Sequence, residues 1–190
     1  MAANSLLELL AHVTQALEDT GAVYAVTGSV ASSIHGEPVT SMDVDIVADL
    51  SADQGAKLAR SVSGRLYADA DMLRRAAIEH SMANLIDPAS GYKVDISVLK
   101  QTPYHAQVLQ RRVRIMHPDG KASFWVVSPE DTILMKLAWR KESRSQKQWA
   151  NALSVARVQK NRLDWAYLRK WAGELGVEQD LDELMREAGV

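Results

Sequence analysis

Residues 43–47 have the sequence Asp43-Val44-Asp45-Ile46-Val47, in which acidic and apolar side chains alternate. A period of two is typical of a half-buried β-strand, because successive side chains of a strand point to opposite faces of the sheet. The pattern therefore predicts a strand whose Val44 and Ile46 side chains enter the core. The carboxylates of Asp43 and Asp45 then lie together on the opposite face.

A second segment of the same kind covers residues 93–98, Lys-Val-Asp-Ile-Ser-Val, and places Asp95 on its polar side. A third carboxylate is then available to join Asp43 and Asp45. Like charges brought together repel unless a cation neutralises them, and Mg²⁺ prefers oxygen ligands shared with substrate phosphates. The alternative is a solvated strand face, which suits Asp43 and Asp45 better when they are considered without their surroundings.

A small-residue turn precedes these strands. Residues 23–27, Val-Tyr-Ala-Val-Thr, predict a short strand, and Gly28-Ser29 then leads into a predicted short helix that extends to Gly36. Glycine lets the backbone approach a phosphate closely, and the serine hydroxyl and the amides at a helix start can donate hydrogen bonds to it. An ordinary strand-to-helix turn has the same composition, so both interpretations stand at this point.

The rest of the chain alternates between strands and helices and then becomes helical. Periodicity predicts helices over residues 6–17, 51–62, 71–79 and 103–112, and strands over residues 82–86, 92–99, 113–116 and 124–127, with a turn at residues 117–120. Ser128-Pro129-Glu130-Asp131 is a strong helix start, and helices follow it with breaks near Asn161 and Gly176. We therefore expect an α/β (α+β) fold in which a mixed central sheet is flanked by helices. Residues 1–127 form its core, and residues 128–190 form a C-terminal helical lobe packed on that core.

Composition excludes several classes of protein. The 190 residues are 47% hydrophobic and 24% charged, which is the balance of a folded globular chain. The absence of cysteine excludes disulfides and thiolate metal sites, and the five histidines form no close ligand pair. No basic N-terminal start precedes an apolar run, and no window approaches the roughly 20 apolar residues of a membrane span, so we expect a cytoplasmic protein without membrane contact.

Gly28-Ser29, Asp43-Val44-Asp45 and the later Asp95 resemble, in order, spacing and strand context, the motif of the DNA polymerase β-like nucleotidyltransferases. Within that superfamily, Gly-Glu-Pro at residues 36–38 and the segment from Ser128 to Leu137 look like small bacterial proteins related to AbiEii-type toxins. The resemblance spans nearly the whole chain. It implies a nucleotidyltransferase fold and the magnesium-dependent transfer of a nucleotide from a nucleoside triphosphate such as ATP to a tRNA or other RNA end, or to a protein hydroxyl. It also implies a toxin–antitoxin system with a cognate antitoxin as partner.

The same resemblance assigns residues to roles. Two magnesium ions are held by the catalytic residues Asp43, Asp45 and Asp95, and Asp95 is either a metal ligand or the general base. The residues expected to bind the nucleotide are Gly28, Ser29, Ser41 and Lys136, with Arg140 and Lys147 as weaker candidates. The alternative interpretation is that Lys136 is an exposed lysine on a helix surface. The ten Lys and Arg residues between Lys136 and Lys170 likewise form either a solvated surface or a basic wall for polyphosphate or RNA.

Two departures from the family pattern support other functions. Relatives often carry arginine and threonine where this chain has Val39 and Ser41, and aspartate where it has Asn151. The first alternative is therefore a catalytically degenerate nucleotide-binding or interaction module of the same fold. The second is a structural protein whose acidic strand is simply solvated.

Overall fold

A six-stranded mixed sheet carries all three aspartates. The computed structural model describes residues 5–117, 120 and 123–190. Its strands are β1 (Val23–Thr27), β2 (Asp43–Asp49), β3 (Met82–Ile86), β4 (Lys93–Val98), β5 (Val113–Met116) and β6 (Ser123–Val126). They lie in the order β3-β4-β2-β1-β6-β5. The β2–β4 and β1–β6 pairs are parallel and the other neighbours are antiparallel. The predicted α/β class with a mixed sheet is confirmed.

Burial follows the alternation that predicted β2 and β4. Val44, Ile46, Val94 and Ile96 are fully buried, whereas Asp43, Asp45 and Asp95 are half-buried. Because side chains two residues apart share a face, the apolar set enters the core and the acidic set occupies the other face.

Four helices accompany the sheet: α1 (Leu6–Thr20), α3 (Ala52–Val62), α4 (Ala70–Glu79) and α5 (Pro103–Gln110). Ser5 and Ser51 start α1 and α3 with capping boxes, in which the serine hydroxyl and the residue three positions later satisfy each other's backbone amides. Gly21 ends α1 in the left-handed conformation. Helices α1 and α4 pack against the strands and close the core beneath the buried side chains of β2 and β4.

The remaining helices are α2 (Gly28–His35), α6 (Pro129–Ser143), α7 (Gln146–Gln159), α8 (Trp165–Leu175) and α9 (Glu178–Ala188). Ser128 caps α6 as predicted, because its Oγ accepts a hydrogen bond from the Asp131 amide at 3.0 Å. The breaks near Asn161 and Gly176 are also confirmed. A further break, at Arg144 with φ of 51°, separates α6 from α7 and was not predicted.

The described residues divide into two compact units. The sheet unit contains the chain up to Thr27 together with Ser41–Val126, and the helical unit contains Gly28–Thr40 together with Val127–Val190. The boundary between Val126 and Val127 lies one residue before the predicted one, which was placed between residues 127 and 128. Residues 28–40, predicted to belong to the core, group instead with the C-terminal helices.

Hydrogen bonds inside the helical unit explain this grouping. The Glu37 amide donates to Ser154 Oγ at 2.7 Å, and Gln159 Nε2 donates to the His35 carbonyl at 2.8 Å. His35 Nε2 donates to the Val127 carbonyl at 2.8 Å. These bonds join the end of α2 to α7 and to the residue that precedes the α6 cap.

Two other predictions concern the edge of the sheet and membranes. Strands β5 and β6 form the predicted pair and are antiparallel. The turn predicted between them includes Pro118 and Asp119, which lie outside the described residues.

Among the helices that the structure describes, none combines the length and apolarity that crossing a bilayer requires.

Candidate functional site

The register of β2 and β4 brings the three predicted carboxylates together. Asp45 lies opposite Asp95, and Asp43 lies opposite Lys93. Neighbouring strands are about 4.8 Å apart, and residues two apart along a strand share a face. Asp43, Asp45, Lys93 and Asp95 therefore form a two-by-two group on one face of the sheet unit, which we call the acidic array.

Lys93 and Asn84, which were not predicted as site residues, contact the carboxylates of the acidic array. Lys93 Nζ lies 3.5 Å from Asp43 Oδ1 and 3.9 Å from Asp95 Oδ2. Asn84, which lies opposite Asp95 on β3, donates from Nδ2 to Asp95 Oδ1 at 2.5 Å. The carboxylate of Asp95 is thus oriented from one side by an amide and approached from the other by an ammonium group.

The side chains of the array differ in their exposure to solvent. The side chains of Asp43 and Lys93 are 41% and 43% exposed, whereas that of Asp95 is 17% exposed. The four side chains of the array carry three negative charges and one positive charge, which gives a formal sum of −2. Such an imbalance at a partly exposed surface attracts cations.

The acidic array offers carboxylate oxygens as donors but does not group three ligands around one point. Within the part of the chain that the structure describes, no three His, Cys, Asp or Glu side chains are grouped tightly enough to hold a metal ion. The donors are nevertheless carboxylate oxygens, which Mg²⁺ prefers. The Lys93 ammonium group stands in for a cation between Asp43 and Asp95. The donor chemistry of these residues therefore suits a divalent cation, whereas their arrangement does not yet group three ligands.

Ser41 organises the start of β2. Its Oγ accepts a hydrogen bond from the Asp43 amide at 3.3 Å and donates to the Asp43 carbonyl at 3.1 Å. Ser41 was predicted to bind nucleotide, and the structure places its hydroxyl on the backbone of the first aspartate of the array.

Comparison with solved structures supports the fold. No protein-family model matches the chain, and no curated protein matches it. The structure of an antigenic nucleotidyltransferase-like protein from Paracoccidioides brasiliensis is similar to it, with a TM-score of 0.55 and 16% identity over 95% of this chain and 92% of that one. The chain has a nucleotidyltransferase-like fold. A protein named as a candidate nucleotidyltransferase from Thermotoga maritima is also similar, with a TM-score of 0.48 and 17% identity over 80% and 96% of the two chains.

Gly28 and Ser29 lie at the start of α2, in the helical unit of this nucleotidyltransferase-like fold. Gly28 follows directly on Thr27, whose Cα pairs with that of Asp45 across β1 and β2. Its φ of 65° is in the left-handed region, which explains why glycine occupies this strand-to-helix junction. Ser29 is buried, with 7% of its surface exposed.

The basic candidates also belong to the helical unit. Lys136 is only 3% exposed, and its Nζ lies 5.1 Å from the centre of the Trp139 ring. The alternative of an exposed helix lysine is therefore wrong, because this side chain is buried. Arg140 pairs with Asp180, whereas Lys147 is exposed.

The two departures from the family pattern differ in their surroundings. The Val39 amide donates to Ser33 Oγ at 2.9 Å, so this position is used locally to close the segment after α2. Asn151, on α7, is 5% exposed, and its Nδ2 has no hydrogen-bond partner among the residues the structure describes. A buried amide of this kind is destabilising unless a partner satisfies it.

Proposed function

We propose that the protein is a magnesium-dependent nucleotidyltransferase that moves a nucleotide from a nucleoside triphosphate to an RNA end or a protein hydroxyl. The observation that carries the proposal is the pairing of Asp45 with Asp95 in adjacent strands, with Asp43 on the same face. If the acidic face were simply solvated, nothing would require a second strand to place a third carboxylate opposite Asp45. A site for cations does need it, because divalent ions bind several oxygen ligands at once.

The three aspartates are proposed to hold two magnesium ions, which when bound would activate the attacking hydroxyl and stabilise the leaving pyrophosphate. Asn84 fixes Asp95 by its bond to Oδ1, and Oδ2 is then the oxygen left to bind metal or to accept the proton of the attacking hydroxyl. Asn84 is thus a positioning residue. It sets the direction of one carboxylate before any substrate arrives.

The start of α2 is the proposed binding site for the triphosphate. The amides that begin α2, at Gly28 and Ser29, are suited to phosphate because the N-terminus of a helix carries partial positive charge. Ser41 and Lys136 are the other candidates. The resemblance to AbiEii-type toxins supports a toxin role, a cognate antitoxin and a bacterial cytoplasmic setting as parts of the same proposal.

A second candidate function is a nucleotide-binding module that has lost catalysis. Asn151 favours it, because an amide stands where relatives have a carboxylate, and this amide is buried without a partner among the described residues. Calorimetry separates the two functions. Binding of magnesium and nucleotide without turnover supports the module, and turnover supports the enzyme.

The decisive experiment is transfer of label from α-labelled nucleotides, with magnesium and either tRNA or cell lysate as acceptor. Wild type is compared with Asp45→Asn and with Asp49→Asn, a matched control at the exposed end of the same strand. We expect Asp45→Asn to lose at least about 100-fold in rate, since metal ligation contributes several kcal/mol to such reactions. Asp49→Asn should retain the rate. Absence of transfer by folded wild type with every nucleotide would defeat the proposal.

A melting experiment addresses the plain structural alternative. A ligand that binds only the folded state raises the melting temperature, by an amount set by its concentration relative to Kd. Folded wild type whose melting temperature is unchanged by saturating magnesium and triphosphate would have neither the enzymatic nor the module function.

A further inference from the structure

Lys93 is held between two carboxylates by charge rather than by directed hydrogen bonds. Its Nζ is 3.5 Å from Asp43 Oδ1 and 3.9 Å from Asp95 Oδ2. Charge-assisted hydrogen bonds between nitrogen and oxygen are about 2.7–2.9 Å long. The ammonium group therefore lies near both oxygens without the short contact that would fix it to either.

We propose that Lys93 is the resident counter-cation of the acidic array, and that a divalent ion enters the array by displacing its ammonium group. This inference rests on the proposed function, because it assumes that the array binds metal. Lys93 would stabilise the metal-free protein and at the same time weaken metal binding.

The two ends of the array differ in how easily they move. Asp95 is fixed by the 2.5 Å bond from Asn84 and is mostly buried. Lys93 is 43% exposed, and its flexible four-carbon stem lets the ammonium group reach solvent. Lys93 is therefore the member of the array that can leave most easily when an ion enters.

The ion pair between Arg65 and Asp87, also in the sheet unit, is a structural pair and serves as a comparison. Asp87 is 1% exposed and accepts hydrogen bonds from the amides of Ala89 and Ser90, while Arg65 lies 3.4 Å from its other oxygen. This carboxylate is satisfied from the backbone and buried, so it has no vacant side for an ion. Lys93 and Asp43 are both more than 40% exposed, and the hydrogen bond that fixes Asp95 comes from the Asn84 side chain rather than from the backbone.

The test measures binding of manganese(II), without nucleotide, by its paramagnetic signal in wild type and in Lys93→Met. Methionine keeps much of the apolar stem and removes the charge. Lys57→Met is the control, because Lys57 is an exposed lysine of α3. Exposed ion pairs contribute roughly 0.2–1 kcal/mol each, which converts for two contacts to an increase in manganese affinity of about 2- to 30-fold in Lys93→Met.

Thermal melting gives a readout that does not depend on activity. In EDTA, Lys93→Met should melt below wild type, because Asp43 and Asp95 then lose the ammonium group that lies near both of them. In saturating manganese the difference should shrink or reverse. Lys57→Met should show the same offset from wild type in both conditions.

The outcomes separate this inference from the proposed function. Equal or weaker manganese binding by folded Lys93→Met, with wild type that binds manganese and transfers nucleotide, overturns the role of Lys93 alone. Absence of manganese binding in both proteins overturns the exchange and the proposed function together. Tighter binding by Lys93→Met, with loss of binding in Asp95→Asn, supports both.

Discussion

Replacing Gly36 by alanine tests how α2, the helix that begins with Gly28 and Ser29, is held. A Cβ at Gly36 would lie 2.6 Å from Ser154 Oγ, 2.9 Å from the Val155 amide nitrogen and 3.1 Å from the Ser154 carbonyl carbon. Carbon atoms make favourable contacts at about 3.5–4.0 Å, and the backbone atoms of a helix cannot rotate away. Gly36→Ala must therefore move the end of α2 away from α7.

The expected cost follows from three contributions. Forcing a methyl group into a packed contact costs about 1–3 kcal/mol. The methyl also displaces the Ser154 hydroxyl that accepts from the Glu37 amide at 2.7 Å, and such a bond is worth about 1 kcal/mol. Alanine stiffens the unfolded chain, which offsets roughly 0.4–1 kcal/mol. The free energy of unfolding should thus fall by about 2 kcal/mol, which lowers the melting temperature by about 4–8 °C for a chain of this length.

Urea unfolding followed by tryptophan fluorescence suits this measurement, because every tryptophan except Trp125 lies in the helical unit. Gly64→Ala is the matched control, since a Cβ at Gly64 would meet nothing within 4 Å. It should be neutral or slightly stabilising. If Gly36→Ala also changes the free energy of unfolding by less than about 0.5 kcal/mol, the contact with α7 does not hold α2 and the reasoning fails.

A double-mutant cycle identifies the atoms responsible. Ser154→Ala removes the closest of the three contacts and the acceptor of the Glu37 bond. Gly36→Ala should then cost less in the Ser154→Ala background than in wild type, by at least about 0.5 kcal/mol. Equal costs in both backgrounds would place the strain elsewhere.

Two further predictions concern buried titratable groups. Burial alone would raise the pKa of Asp87, but the amides of Ala89 and Ser90 and the charge of Arg65 outweigh it and hold the pKa below its usual value. Asp87→Asn should therefore lower the free energy of unfolding by about 2–3 kcal/mol at pH 7. Urea unfolding should show this loss shrinking as the pH falls below about 4, because the Asp87 carboxylate then takes up a proton in the unfolded chain before it does so in the folded one. Burial lowers the pKa of His35, so the unfolded chain binds the proton more tightly and wild type should lose stability as the pH falls below about 6.5. Glutamine can still donate to the Val127 carbonyl, so His35→Gln should show a flatter decline between pH 7.5 and 5.5, and parallel declines would contradict the assignment.

The sequence predicts the part of the site that depends on the alternation of side chains within a single strand. A period of two places Asp43 and Asp45 on one face whatever the rest of the chain does. The same rule puts Lys93 on the face of Asp95, since the two are separated by one residue, so a signal for Lys93 was present and was missed. Asn84 had no such signal. Its contact depends on the register of β3 against β4, which side-chain alternation within one strand does not determine.

The grouping of residues 28–40 depends on contacts that are distant in sequence. Gly36 and Ser154 are 118 residues apart in the chain, yet Ser154 Oγ accepts from the neighbouring Glu37 amide. Composition identified a turn and a helix here but carried no information about their partner. The break at Arg144 was missed for a different reason. A residue other than glycine takes the left-handed conformation there, so the usual glycine signal for a helix end is absent.

The basic stretch that follows Lys136 shows why a count of charges does not identify a nucleic-acid surface. Lys136 is buried, Arg140 pairs with Asp180, and Arg157 pairs with Glu187. The acidic partners come from α9, so the negative C-terminal segment neutralises part of the positive segment within one unit. An RNA acceptor would have to compete for the paired guanidinium groups or use exposed lysines such as Lys147. Because the salt dependence of RNA binding reports the number of phosphates that are neutralised, the protein should show a smaller slope than the ten basic residues of this stretch suggest.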